Sequence, residues 1–308
     1  MPDLIFATRF PGQAHSVEKL PGVDLFVWEK GPKDRSYSRG NVILVHGSSQ
    51  ASQPSFDLIV DGNPHLSLME RLAAEGWTVW CFDCEGYGKS SKHRPRQHGI
   101  SDGADDLEVV TRFVLNRTGD QRVSVYGGSA GALRAALFAA RNPGVLSCLA
   151  MDAFVWTGDG SPTLAERRKR LPQFQETLRR PISRESLTSI FERDHIGATD
   201  GATVAAFIEA VLALDTSIPN GTYIDMCTSL PVVLPEQLDL PVLIMRGEWD
   251  GIATFDDVLG FFAKLPNPDK QFAMMPGVAH AAFNGKNHEM AFHTLLSFLG
   301  RPDPIYFG

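Results

Sequence analysis

Apolar residues along this chain fall into short runs, separated by longer stretches in which they recur at helical spacing. The runs at 41–46, 77–82, 122–126, 146–151, 242–245 and 271–275 are too short for helices and show little polar alternation, as expected of strands buried on both faces. Between them, 66–75, 104–116, 130–141, 255–263 and 290–299 carry the helical period. Asn63-Pro64 reads as the start of the first of these helices and Gly76 as its end. Asp105 and Asp106, and likewise Asp256 and Asp257, are placed to favour the N-terminal dipole of their helices. Strand and helix in alternation predict βα units and a mostly parallel sheet.

Two regions break this rhythm. At the start, 4–10 and 23–29 read as a pair of antiparallel edge strands separated by a Pro-Gly turn. From 153 to 235 the strand signal disappears, and the segment becomes helical and charged, punctuated by Pro162, Pro172 and Pro181. The expected organisation is an α/β core of 1–152 and 236–308 interrupted by a helical insertion of 153–235. No internal repeat or low-complexity tract is present.

Composition narrows the classes of function. A hydrophobic content of 43% over 308 residues suits a large buried core. A formal net charge of −7 opposes nucleic-acid binding, which needs a basic face. No basic and apolar leader opens the chain and no apolar run is long enough for a bilayer, so a cytoplasmic protein without a membrane partner is expected. Cys81, Cys84, Cys148 and Cys227 read as reduced thiols, because the Cys81/Cys84 pair straddles a strand end and does not open a helix, where thiolates are stabilised. The expected partner is a small-molecule substrate, and the reading allows a homodimer.

The densest chemistry lies at Val123-Ser-Val-Tyr-Gly-Gly-Ser-Ala-Gly-Ala132, where Ser129 stands between a β-branched strand and an alanine-rich helix. A serine at such a sharp turn needs neighbours without bulky Cβ groups, because its backbone is strained and the returning helix packs close to the strand. A hydroxyl also needs a base to become nucleophilic, and the base needs a carboxylate to fix its tautomer. His280, in a loop of small residues after the last strand, is the candidate base, whereas His46 reads as a loop-positioning residue. Asp250, closing Arg246-Gly-Glu-Trp-Asp after a strand, is the candidate acid, with Asp152 as its rival at the end of the strand after Ser129. Two N–H donors for an oxyanion are expected from Ala130 and from Ser48 in the His46-Gly-Ser-Ser turn. Neither a metal nor a cofactor is expected, because the histidines and carboxylates show no tight ligand spacing.

Taken in order, the His46-Gly47 turn, Asp83-Cys-Glu-Gly-Tyr-Gly-Lys-Ser90, the Gly127–Gly131 elbow, Gly247-Glu-Trp-Asp250 and His280 resemble the α/β-hydrolase fold superfamily over nearly the whole chain. The resemblance implies an eight-stranded, mostly parallel sheet flanked by helices, a helical cap formed by the insertion, and Ser129, Asp250 and His280 as a triad. The Gly-Gly-Ser elbow is similar to that of proline iminopeptidases, but those relatives carry a glycine- and proline-rich oxyanion loop where this chain has His-Gly-Ser-Ser-Gln.

The expected function is therefore a serine hydrolase acting on a carboxylic ester, lactone or thioester. An amidase, an acyltransferase and a hydrolase of activated C–C bonds are alternatives using the same residues, and a non-catalytic ligand-binding protein of the same fold is the alternative outside enzymes. Phe154 and Trp156 after the sixth strand, with Met226 and Phe56, are the candidate pocket residues. Arg167-Arg-Lys-Arg170 and Arg179-Arg180 read as a solvated helix face, with guidance of an anionic substrate as the alternative.

Overall fold

The computed structural model describes residues 10–63, 65–303 and 305. Its strands are β1 (Gln13–Leu20), β2 (Val23–Lys30), β3 (Asn41–Val45), β4 (Thr78–Phe82), β5 (Val123–Gly128), β6 (Leu146–Asp152), β7 (Arg179–Pro181), β8 (Ser217–Pro219), β9 (Val242–Gly247) and β10 (Lys270–Met275). The helices are α1 (Ser52–Phe56), α2 (Leu68–Ala74), α3 (Ile100–Thr118), α4 (Ala130–Arg141), α5 (Pro162–Lys169), α6 (Leu171–Glu176), α7 (Arg184–Glu192), α8 (Gly201–Leu212), α9 (Gly221–Thr228), α10 (Phe255–Lys264) and α11 (His288–Leu299).

Eight strands form one sheet in the order β1-β2-β4-β3-β5-β6-β9-β10. β2 pairs antiparallel with both β1 and β4, and the remaining neighbours are parallel. The near-continuous apolar runs follow from cover on both faces. Along β3, Ile43 and Val45 pack with Leu107, Leu133 and Phe138, whereas Val42 and Leu44 pack with Leu72, Leu295 and Phe298. The period of two thus distributes one strand between two cores, with α3, α4 and α10 on one face and α2 and α11 on the other. Strand order reverses between β3 and β5, and the loops leaving their carboxyl ends open a crevice, the usual binding position in such sheets.

The opening hairpin differs from expectation. Residues 4–9 of the expected first strand lie outside the described residues, as does Pro64, and Phe10 is not in a strand. The partner of β2 is Gln13–Leu20, joined to it through Pro21-Gly22 with Gly22 at φ 77°. This edge strand buries only Val17, so it carries no apolar pattern to read. The helix expected at 104–116 begins at Ile100, and its first-turn acid is Asp102. Asp106 instead lies buried, accepting the Glu85 N–H at 2.9 Å and pairing with Lys19 at 2.6 Å.

Between β6 and β9 the chain forms α5 to α9, and also two short strands, β7 and β8, paired antiparallel. Each has three residues, and together they contain two prolines and two arginines, so the strands escape a β-propensity reading. This segment has its own apolar cluster, in which Leu187, Phe191, Phe207 and Val211 meet Leu58, Val60 and Leu66. The cysteines are free; Cys81, Cys84 and Cys148 are buried, and burial pushes the Cys84 thiol up to about 12. No helix among the described residues is long and apolar enough to cross a membrane.

Candidate active site

Ser129 occupies the turn between β5 and α4 with φ 56° and ψ −121°, a conformation that costs a non-glycine residue roughly 1–3 kcal/mol. The surrounding packing enforces it. A Cβ on Gly131 would lie 2.0 Å from the Val45 carbonyl oxygen, and one on Gly127 would lie 2.4 Å from the Gly131 oxygen. Only bare backbone lets α4 return so close to β3 and β5. Ser129 N–H is held by the Asp152 carbonyl at 2.8 Å, which joins the turn to the end of β6.

His280 reaches the same point from the loop after β10. Its Nε2 lies 3.0 Å from Ser129 Oγ, and its Nδ1 lies 2.9 Å from Asp250 Oδ1. Asp250 is buried and also accepts the Ile252 N–H at 3.0 Å. Burial alone would raise its pKa, but His280 and the Ile252 N–H outweigh it and hold the carboxyl below its usual range. Arg246 fixes the backbone of this loop, donating to the carbonyls of Gly247, Asp250 and Ala253 at 2.9, 3.2 and 3.1 Å. Its identity within Arg246-Gly-Glu-Trp-Asp gave no hint of this inward role.

The rival acid is turned elsewhere. Asp152 Oδ2 accepts the Tyr126 hydroxyl at 3.0 Å, and no bond joins it to His280. Burial, aided by the charge of Asp250, pushes its carboxyl up to about 7. Asp194 completes the acidic surroundings: a carboxylate oxygen of Asp194, one of Asp250 and a ring nitrogen of His280 lie within 4.8 Å of one another.

Ser48 and Ala130 both lie beside the nucleophile. Ala130 opens α4, so its N–H belongs to the unpaired first turn. The turn at Gly47-Ser48 abuts Ser129 closely enough that a Cβ on Gly47 would be 3.6 Å from the serine Cβ. His46, Tyr87, Arg134 and Arg180 fix this turn, the Tyr87 hydroxyl donating to the Ser48 carbonyl at 3.3 Å. His46, buried, accepts the Cys84 N–H at Nε2 (3.0 Å) while Nδ1 faces the Gly47 carbonyl (2.7 Å). Burial and the nearby Arg134 lower its pKa to about 3, so the ring is neutral with its proton on Nδ1. Arg134, fully inside the protein, donates to the His46 carbonyl at 2.9 Å and to Thr222 of α9 at 3.0 Å. Arg180 donates to the Ser48 carbonyl at 2.8 Å. Arg134 did not stand out in the sequence, and Arg180, read there as part of a solvated face or as a guide for an anionic substrate, instead bonds backbone carbonyls.

A partly open cavity, with a volume of about 80 Å³, is lined by Ser129 and His280. Phe56 lines it, joined by Phe191, Phe207 and Phe283, with Arg167 and Arg193 from the inserted segment. The other three candidate pocket residues are not on its wall. Phe154 packs on Phe261 with ring centroids 4.7 Å apart, and Trp156 meets the same ring at 5.8 Å. They follow β6 directly, and Asp257 ties them down by accepting the N–H groups of Trp156 and Thr157 at 2.9 and 3.0 Å. Met226 is buried behind the wall, where its sulfur meets Arg167 at 3.5 Å. The basic run also divides: Arg168, Lys169 and Arg170 are exposed, while Arg167 is buried and Arg179 and Arg180 are half-buried.

The sheet, the elbow and the three facing side chains define an α/β hydrolase. A family model, serine aminopeptidase of the S33 group, matches residues 37–287, and the chain belongs to this hydrolase family. It is 22% identical over 266 residues to a monoacylglycerol lipase of Mycolicibacterium smegmatis, covering 85% of this chain and 88% of that one. It is 20% identical over 283 residues to the uncharacterized protein YnbC of Escherichia coli K12; the match takes in 85% of this chain and 45% of YnbC, so the chain spans less than half of that relative. Among solved structures, a 2-hydroxy-6-oxo-6-phenylhexa-2,4-dienoate hydrolase from Rhodococcus sp. strain RHA1 superimposes with a TM-score of 0.69 at 17% identity, covering 95% of this chain and 100% of that one.

Proposed function

We propose that the protein is a serine hydrolase that cleaves a carboxylic ester, lactone or thioester through an acyl-enzyme. The observation that carries this reading is the continuous line from Asp250 through His280 to Ser129, with both contacts at hydrogen-bond distance and the serine on a strained turn. Ser129 Oγ attacks the carbonyl carbon as its proton passes to His280 Nε2, and Asp250 holds the ring by its Nδ1–H and balances the imidazolium charge. The N–H groups of Ser48 and Ala130 stabilise the oxyanion, each worth about 3 kcal/mol of barrier. The intermediate collapses as His280 returns the proton to the departing alcohol or thiol. Water then attacks the acyl-enzyme, giving its proton to His280, which passes it to Ser129 as the acid leaves.

Segment 153–235 serves as a cap over this site and supplies part of the cavity wall through Arg167, Ile190, Phe191, Arg193 and Phe207. The similarity to a monoacylglycerol lipase supports ester chemistry. Amide hydrolysis is the second reading, favoured by the description of the family as serine aminopeptidases.

A fluorophosphonate that modifies activated serines tests the proposal. The wild type should be labelled at Ser129 and Ser129→Ala should not; an unlabelled but folded wild type would overturn the reading. Aminoacyl p-nitroanilides, offered beside p-nitrophenyl esters, separate the two bond types.

A further inference from the structure

The cavity wall contains a buried cation that, among the described residues, has no carboxylate partner. Arg167 is only 9% exposed, and among the described residues its hydrogen bonding is confined to the Met226 sulfur at 3.5 Å. Among the described residues the ion pairs of the inserted segment join Lys169 to Glu166, Arg184 to Glu209, Arg193 to Asp194, Lys92 to Asp215 and Lys286 to Asp200, each leaving Arg167 aside. Its guanidinium lies 4.1 Å from the centroid of the Tyr223 ring, which a second cation, Arg180, approaches at 3.6 Å. Arg193 faces the same cavity.

Taking an arginine out of water costs several kcal/mol unless an anion and hydrogen-bond acceptors replace the hydration shell. Arg180 meets part of its need with the carbonyls of Ser48 and Pro219, at 2.8 and 2.6 Å. Arg167 has a thioether and a ring face. Burial would raise the Tyr223 hydroxyl, but the neighbouring arginines and Ser49 bring it down to about 6, so its single phenolate charge is shared by Arg167 and Arg180, Arg193 being paired with Asp194. In a chain with net charge −7, such a site inside a cleft is a local reversal of sign.

We propose that Arg167 binds a carboxylate of the substrate, so that the bond cleaved at Ser129 belongs to an ester carrying a carboxylate on its acyl or its alcohol part. This rests on the hydrolase reading for the reaction, but not for the binding. The planar guanidinium fork matches a carboxylate with two parallel N–H···O bonds. Arg167 and Ser129 line one cavity together with Phe56, Phe191, Phe207 and Phe283, and an ion pair is stronger beside such apolar walls than in bulk water.

Two pairs of esters test it: mono-p-nitrophenyl glutarate against p-nitrophenyl pentanoate for the acyl side, and 4-acetoxybenzoate against its methyl ester for the alcohol side. At least one pair should favour the anionic ester tenfold or more in kcat/KM, and Arg167→Gln should bring that ratio close to one, with Arg167→Lys between. The ratio cancels any general loss of activity. Equal or inverse preference by the wild type in both pairs, or a preference untouched by Arg167→Gln, overturns the proposal. Should both variants fail to fold, glutarate must slow phosphonate labelling of wild-type Ser129 where pentane-1,5-diol at the same concentration does not; equal effects overturn it. If the wild type is neither labelled nor active on any ester, the hydrolase reading has failed. Calorimetry of glutarate binding to wild type and Arg167→Gln then decides the role of Arg167 by itself.

Discussion

The Tyr126 hydroxyl donates to Asp152 Oδ2 at 3.0 Å, while 2.9 Å separates His280 from Asp250. Two carboxylates thus stand at the ends of adjacent strands, and each has its own partner. Burial and the Asp152 charge push the Tyr126 hydroxyl far up, so it stays a donor. Asp152 in turn is displaced towards its neutral form and Asp250 towards its charged form.

That contrast gives a pH dependence of stability. The Asp152 carboxyl titrates near 3.8 when unfolded and at about 7 when folded, so between these values the native state binds the extra proton. Stability from this group is complete at the acid end of the window, falls as pH rises through it, and is lost above about 7, by on the order of 4 kcal/mol. Asp152→Asn should therefore be the more stable protein at pH 8, with a flatter profile from pH 5 to 8. Urea unfolding across that range checks it; a variant less stable than wild type at pH 8 would contradict the assignment.

Asp250→Asn should keep the fold but present the wrong tautomer of His280, lowering kcat by about ten-thousandfold. Asp152→Asn should cost far less. Comparing kcat for the two variants on one ester checks which acid serves His280.

The elbow has no room for a side chain at Gly131, where a Cβ would fall 2.0 Å from the Val45 oxygen. Gly131→Ala should destabilise by about 1–3 kcal/mol or more and displace Ser129 from His280. Thermal unfolding together with phosphonate labelling reads both consequences.

Phe56 and Phe154 should behave differently. Phe154→Ala removes a core side chain and should cost about 3–5 kcal/mol while leaving acyl-chain preference unchanged. Phe56→Ala opens the cavity and should shift that preference towards longer chains. Melting curves and an ester series separate the roles.

What the sequence made legible was chemistry carried by local strings. Ser129 and Asp250 follow the buried strands β5 and β9, and His280 follows β10, an edge strand that buries only Met275 but is apolar enough to be recognised. The parallel alternation of the core was readable for the same reason. β1 was not, because an edge strand with one buried residue has no pattern. The pocket was not either, since its wall joins α1, the elbow, α7, α8 and the loop after β10, segments distant in sequence. Arg167 looked like its three exposed neighbours until α5 showed which face it occupies. Phe154 and Trp156 lay at the expected hinge, yet proximity in sequence to β6 placed them against α10 and not against the nucleophile.

The most direct test of the central claim is hydrolysis of p-nitrophenyl esters from acetate to octanoate by wild type and Ser129→Ala. The account predicts turnover by the wild type and a loss of at least about a thousandfold in the variant. Retention of wild-type turnover by a folded Ser129→Ala would contradict it.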